Sequence, residues 1–202
     1  MLEQFIVNAF EEFPALRNFD YPWLMTESTL ELVRAAISLL GSEFRIDGEL
    51  AVHQSANLES SAIIRGPAII GPGASVGVNA YLREGVFLGA NSRIGPMCEV
   101  KSSFVFSNSS IAHLNYVGHS LIGSRVNLEA GAVTAVHFNE REDKSIHARW
   151  MGQFLLTNVE KFGAAIGDDC KLGANSVTMP GTILKPGRIV ARLELIDQLA
   201  GA

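Results

Sequence analysis

Every sixth residue from Ile46 onward is aliphatic: Ile46, Val52, Leu58, Ile64, Ile70, Val76, Leu82, Leu88, Ile94 and Val100. The residue four positions further on is usually small, as at Ala56, Ala62, Ala68, Ala74, Ala80, Ser92 and Cys98. A six-residue unit of this kind makes one short strand and a corner, and three units close one triangular coil. The aliphatic residue points into the prism, and the small one fills the space left near the corner. Coils then stack at the strand-to-strand distance, roughly 4.8 Å. The pattern predicts a mainly β chain, a parallel β-helix. A composition of 19 Gly and many Val, Ile and Ala, with few of the Lys, Glu and Leu of a helical bundle, agrees.

After Val100 the register slips twice by one residue, resuming at Ile111 and Val117 and then at Ile122 and Leu128. It breaks after Val133, and residues 139–161 read as a protruding excursion. Within it, residues 145–150 and 154–157 are expected to pair as a hairpin around Met151-Gly152-Gln153. The repeat resumes at Ile166, Leu172, Thr178, Leu184 and Val190. Ahead of the prism, Leu2, Phe5, Ile6, Ala9, Phe10 and Phe13 follow helical spacing up to Pro14. A second helix is expected from Ser28, with Glu31 completing a capping box and Gly41 stopping it. The expected organisation is a helical segment over 1–45, a β-helix over 46–192 and a short C-terminal helix over 193–202.

A chain of 202 residues, 48% of them hydrophobic, suits one domain with small appendages. A formal charge of −5 argues against nucleic acid or an anionic membrane as the main partner. No apolar run approaches the roughly 18 residues of a membrane span, and no basic-then-apolar secretion signal opens the chain. Cys98 and Cys170 are too few for a disulfide framework and sit at small-residue positions of the hexad, so both read as buried core thiols. A cytoplasmic protein is the expectation.

Polar residues able to do chemistry concentrate between Arg83 and Asn127. Arg83 and Lys101 lie three hexads apart, hence one coil apart on one face. Two cations so placed either bracket an anion or form a solvated pair partnered by Glu84 or Glu99. His113 is a potential general base, and a carboxylate such as Glu99 could fix its tautomer and raise its basicity. The register slips read as extra residues folded into corners, which re-aim side chains as bulges do. His53 and His147 read as structural or exposed. His119 and His137, 18 residues apart, could form a metal pair, but no third ligand stands at matching spacing, and no metal is expected.

The runs Ala112-His113-Leu114-Asn115-Tyr116-Val117-Gly118 and Val126-Asn127-Leu128-Glu129-Ala130-Gly131 carry a resemblance. So does Lys161-Phe162-Gly163-Ala164-Ala165-Ile166-Gly167-Asp168-Asp169. Together they resemble the acetyltransferase domain of bifunctional glucosamine-1-phosphate acetyltransferase / N-acetylglucosamine-1-phosphate uridylyltransferase, a left-handed β-helix. The excursion and Tyr21-Pro22-Trp23 resemble sugar-1-phosphate nucleotidylyltransferases with a β-helical tail. No gap is needed from Arg83 to Asn127. The resemblance implies sugar-phosphate binding by Arg83, Lys101, Tyr116, Asn127 and Lys161. It implies a catalytic base at His113, a carboxylate orienting it at Glu99, and acetyl-CoA contacts near Ala130 and Ala174. It also implies a homotrimer with sites between neighbouring prisms.

The sequence departs from that family in three places. The nucleotidylyltransferase domain is not in this chain, so synthesis of a nucleotide sugar is not expected. Val136-His137-Phe138-Asn139 stands where the family has Asn-Tyr-Asp-Gly, and Glu129 replaces a glycine. The reading is an acyl-CoA-dependent N-acyltransferase acting on an amino-sugar phosphate or a similar small amine. The alternative is a non-catalytic trimerising or regulatory module that binds sugar phosphate.

Overall fold

A computed structural model describes residues 1–198 of the chain. Its centre is a left-handed parallel β-helix with three faces. One face is a seven-stranded parallel sheet running from Asn57–Leu58 to Ile189–Val190. The other two faces share one 13-stranded sheet, because Tyr81–Leu88 and Glu99–Val105 each bend around a corner and serve both. The hexad residues Ile70, Val76, Leu82, Leu88, Ile94 and Val100 form the interior with Val105, Ile111, Val117, Ile122 and Leu128. After the excursion Ile166, Leu172, Leu184 and Val190 continue it, with Thr178 buried in the same series. Cys98 and Cys170 are free and buried, and burial raises both thiols above their ordinary pKa.

Two ends of the repeat differ from expectation. Ile46 is not a core residue: it is 46% exposed in a strand, Phe44–Asp47, that pairs antiparallel with Leu50–His53. The chain reverses at Gly48, whose φ of 56° suits a tight hairpin turn, so the first coil starts only after that turn. At the other end, Leu195–Ile196 is a strand added to Val177–Thr178, with Ile196 in the core. The short C-terminal helix is therefore corrected over its described part, because Ile196 is one more interior hexad residue. Residues 199–202 of that expectation lie outside the described residues.

One face is covered. Its outward residues Ala51, Ile69, Phe87, Phe104, Leu121, Ala165 and Ile183 are apolar and buried against the N-terminal segment and the excursion. Phe13 packs edge-on to Phe104 with centroids 4.9 Å apart, and Phe5 stacks on Trp150 at 4.9 Å. The N-terminal segment is more broken than its periodicity predicts. It contains Leu2–Gln4, Ala9–Glu12, Pro14–Asn18, Pro22–Glu27 and Thr29–Ile37 as separate short helices. Such short helices gain their stability from packing on the prism, not from propensity. Ser28 makes no side-chain cap, and its N–H instead closes the preceding helix on Leu24 O at 3.1 Å, where the reaching-back Glu31 of a capping box would have bonded.

The excursion leaves after Val133–Thr134 and returns at Ala164–Ile166. It holds an antiparallel hairpin, His147–Trp150 with Gln153–Leu156, turning at Met151 and Gly152 with φ of 50° and 83°. Val136 O accepts from the Phe162 N–H at 3.1 Å, which clamps the two ends together.

Candidate functional site

The repeat is regular except at one edge. This edge joins the face carrying Tyr81, Glu99 and Tyr116 to the covered face. Above it Ala68 pairs with Val86, eighteen residues on; below it Val86 pairs with Ser103 and Phe104 with Leu121, seventeen on. The sequence slips are thus a shortening of the coils at this corner, not an insertion into it. The irregularity sits between Arg83 and Val86, and the next coils turn on Ser102 and then His119. Glu84, Ser102 and His119 all take left-handed backbone, with φ of 57°, 46° and 43°. The excursion leaves and re-enters at the same edge, one coil further. Left-handed corner residues also stack at the other two edges, as at Asn79, Met97 and Leu114 or at Asn91, Asn108 and Arg125, so what sets this edge apart is its shortened corner.

Local packing fixes this edge. Gly85, at φ 87°, lies so close to Thr29 and Leu30 that a Cβ would stand 2.8 Å from the Leu30 nitrogen. Gly163 abuts the next coil, where a Cβ would stand 2.3 Å from Gly118 O. Phe162, fully buried edge-on to Trp23 at 6.0 Å, anchors the residue after Lys161. The His119 backbone is held on both sides, its N–H donating to Lys101 O at 2.9 Å and its carbonyl accepting from the Gly163 N–H at 3.0 Å.

Five of the expected site residues gather here. Arg83 and Lys101 are direct register partners, as are Glu99 and Tyr116. Arg83 Nε donates to Glu99 Oε1 at 2.8 Å, and its Nη1 pairs with Glu84. Lys101, only 8% exposed, reaches the other Glu84 oxygen at 3.0 Å. Of the two alternatives the sequence left open, the structure shows the pair partnered by the chain's own Glu84 and Glu99. These contacts hold the Glu84 carboxyl below its ordinary pKa despite the opposing effect of burial. Tyr116 folds over Gly118, where a Cβ would meet its hydroxyl at 2.6 Å. Burial first, then the negative charge of Glu99, raises its phenol pKa. Lys161 acts electrostatically on His119 from the excursion side.

His119 was weighed from the sequence only as a metal ligand. Among the described residues no group of three or more His, Cys, Asp or Glu is placed to hold a metal ion. What the structure adds is its setting. Both ring nitrogens are shielded from water and have no hydrogen-bond partner. Burial first, then Lys101 and Lys161, lowers its pKa from 6.5 to about 4, so the ring is neutral at pH 7.

The other four expected residues lie elsewhere. His113 sits at the opposite edge of this face, between Ser110–Ile111 and Tyr116–Gly118, and its side chain is exposed. Its ring makes no hydrogen bond or ion pair among the described residues, though its carbonyl accepts from the Gly131 N–H at 2.9 Å, so the expected Glu99–His113 contact is not formed; Arg83 holds Glu99 instead. Asn127 is exposed on the seven-stranded face, in register with Ser110 and Lys171. Ala130 and Ala174 lie on successive coils, where Ala130 O accepts from the Asn175 N–H at 2.9 Å. The Ala174 N–H is taken by Glu129 at 2.9 Å, and Arg192 grips both oxygens of that carboxylate at 2.9 and 2.8 Å.

A three-faced coil built on aliphatic hexads defines this chain as a hexapeptide-repeat protein of the left-handed β-helix class. Residues 64–137 match the family described as the GMPPB C-terminal domain, and residues 163–190 match the hexapeptide repeat of succinyl-transferase. Within that class the chain is similar to bifunctional sugar-phosphate enzymes. It is 35% identical over 155 residues to the bifunctional sugar-1-phosphate nucleotidylyltransferase/acetyltransferase of Sulfurisphaera tokodaii, covering 73% of this chain and 38% of that protein. It is 34% identical over 163 residues to the bifunctional protein GlmU of Methanococcus vannielii, covering 71% and 38%. With GlmU of Exiguobacterium sibiricum the figures are 33% over 165 residues, covering 79% and 32%. The chain thus spans between about a third and two fifths of the length of these relatives.

Proposed function

We propose that the chain is an acyl-CoA-dependent N-acyltransferase, acetyl being the expected group, whose acceptor is the amine of an amino-sugar phosphate. The observation that carries this reading is the gathering of Arg83, Lys101, Tyr116 and Lys161 at the one irregular edge of the prism. A cationic edge with a phenol beside it suits a phosphate and a sugar hydroxyl. Similarity to proteins named as acetyltransferases supports the reaction type. In the proposed reaction the amine lone pair attacks the thioester carbonyl carbon. The carbon–sulfur bond then breaks, and coenzyme A leaves as the thiol. His113 would take the proton from the amine and pass it to the sulfur. Backbone N–H groups near Ala130 and Ala174 would face the oxyanion. His113 and Asn127 stand apart from the cationic edge within one chain, which fits a site completed between neighbouring prisms of a homotrimer.

Some observations favour the second reading, a sugar-phosphate-binding module that has no transferase activity. Glu99 is committed to Arg83, His113 has no orienting partner, and Glu129 occupies the Ala174 N–H. Thiol release from acetyl-CoA, followed with glucosamine 1-phosphate and a panel of related amines, separates the two. Turnover that disappears in His113→Ala supports the enzyme. No turnover with any amine, together with phosphate binding, supports the module. Light scattering on the purified chain tests the trimer.

A further inference from the structure

We propose that Glu84 is a built-in competitor for the anion held at the irregular edge, making the site select doubly charged phosphate monoesters over singly charged anions. The inference rests on reading that edge as a phosphate cradle, and it adds a residue that decides which anion enters.

The groups facing the cradle are Arg83 and Glu84 on one strand, Glu99 and Lys101 on the next, Tyr116 on the third with His119 just past its end, and Lys161 at the end of the excursion. Two of the three cations are already neutralised internally. Arg83 is shared by Glu84 and Glu99, and Lys101 is held by Glu84. The remaining side of the cradle is unsatisfied. Lys161 has no ion-pair partner among the described residues, and the His119 ring has no hydrogen-bond partner on either nitrogen. A buried neutral imidazole still carries one N–H donor, and leaving it unused is costly.

Glu84 is built to leave. Its side chain is 47% exposed, and among the described residues only Arg83 and Lys101 hold its carboxylate. Its backbone is fixed: Ser102 Oγ donates to Glu84 O at 3.0 Å, and Gly85 is wedged against Leu30. Release is therefore a side-chain rotation with the strand unmoved. An incoming carboxylate, or any other monoanion, would replace one negative charge by one negative charge. It gains little at Arg83 and Lys101, because Glu84 is tethered there already. A phosphate monoester brings a second charge above its second pKa of about 6. It also brings oxygens enough to reach Lys161 and His119 while displacing Glu84.

The test is calorimetric titration of the whole 202-residue chain at pH 7.5 with methyl phosphate, dimethyl phosphate and acetate. The wild-type chain is expected to bind methyl phosphate at least about tenfold more tightly than either monoanion. Glu84→Gln should bind all three more tightly, with the monoanions gaining most, so that the preference narrows. Glu84→Asp, which keeps the charge, should retain the preference, and His119→Asn should weaken methyl phosphate several-fold. Circular dichroism melts establish that each variant is folded. The proposal is overturned if Glu84→Gln binds methyl phosphate no more tightly than wild type, or if wild type binds dimethyl phosphate as well as methyl phosphate. No acyl donor enters the experiment. A correct binding pattern without amine acetylation sinks the transferase reading alone, whereas acetylation with an unchanged Glu84→Gln profile sinks this inference alone.

Discussion

Two faces of the same prism share their interior and differ only in what points outward. On one, Phe87, Phe104, Leu121 and Ile183 face out, and the short N-terminal helices and the excursion bury them. On the other, Tyr81, Arg83, Glu99 and Tyr116 face out and stay partly exposed among the described residues, with Lys101 buried between them. Inward residues at hexad spacing are therefore enough to stack the coils. Outward residues decide whether a face becomes core or is left for a ligand. The edge between the two faces belongs to both, and there the repeat loses its period and gathers its charges.

The largest effects should separate the faces cleanly. Phe104 is fully buried beneath Phe13, so Phe104→Ala should cost about 3–5 kcal/mol of stability in urea unfolding. The folded fraction of that variant should bind methyl phosphate as wild type does, because the lost ring faces away from the cradle. The mirror experiment is His113→Ala on the polar side. Its exposed ring should leave stability nearly unchanged, while acetyl transfer falls by roughly 10²–10⁴-fold, the usual contribution of a general base.

At the shared edge the expected effect is smaller and depends on pH. The folded pKa of His119, about 4, lies below its ordinary 6.5, so between these values the unfolded chain binds the proton and the folded chain does not. The stability this ring contributes is fully present above about pH 6.5 and is lost as pH falls toward 4. The loss amounts to roughly 3 kcal/mol at the acid end, at about 1.4 kcal/mol per pKa unit. His119→Asn, which tolerates the same left-handed backbone, should flatten that part of the stability profile measured by denaturation between pH 4 and 7. A profile identical to wild type would mean that the ring titrates alike in the folded and unfolded chains.

The smallest change concerns the far corner of the uncovered face. Glu129→Gly removes the carboxylate from the Ala174 N–H and frees Arg192. Stability should barely move, since the pair is exposed. The KM for acetyl-CoA should fall if that N–H contacts the donor, and an unchanged KM would place the donor elsewhere.

Much of this was legible in the chain itself. The interior was written in the hexads, and the stacking of Arg83 on Lys101 follows from a spacing of one coil, whereas the pairing of Glu99 with Tyr116 needed the shortened corner. Ile46 misled because an aliphatic residue in phase says nothing about a reversal at Gly48 just beyond it. Leu195 and Ile196 misled because one more hexad position, Ile196, with an apolar neighbour can also be read as an apolar helical turn. The pairing of Glu99 with His113 was plausible by residue type. It failed because Arg83, a coil away on the same face, is the nearer and more strongly charged partner.

The sequence by itself settled a triangular coil, its interior and the cationic character of one face, because these depend on period and residue type along the strand. Only the tertiary structure decided that Glu84 fills the space between Arg83 and Lys101, that His119 is stranded neutral beside Lys161, and that Glu129 holds the Ala174 N–H. Those outcomes turn on where corners place side chains from different coils. A one-residue change in corner length redirects a side chain without disturbing the aliphatic period that announces the fold.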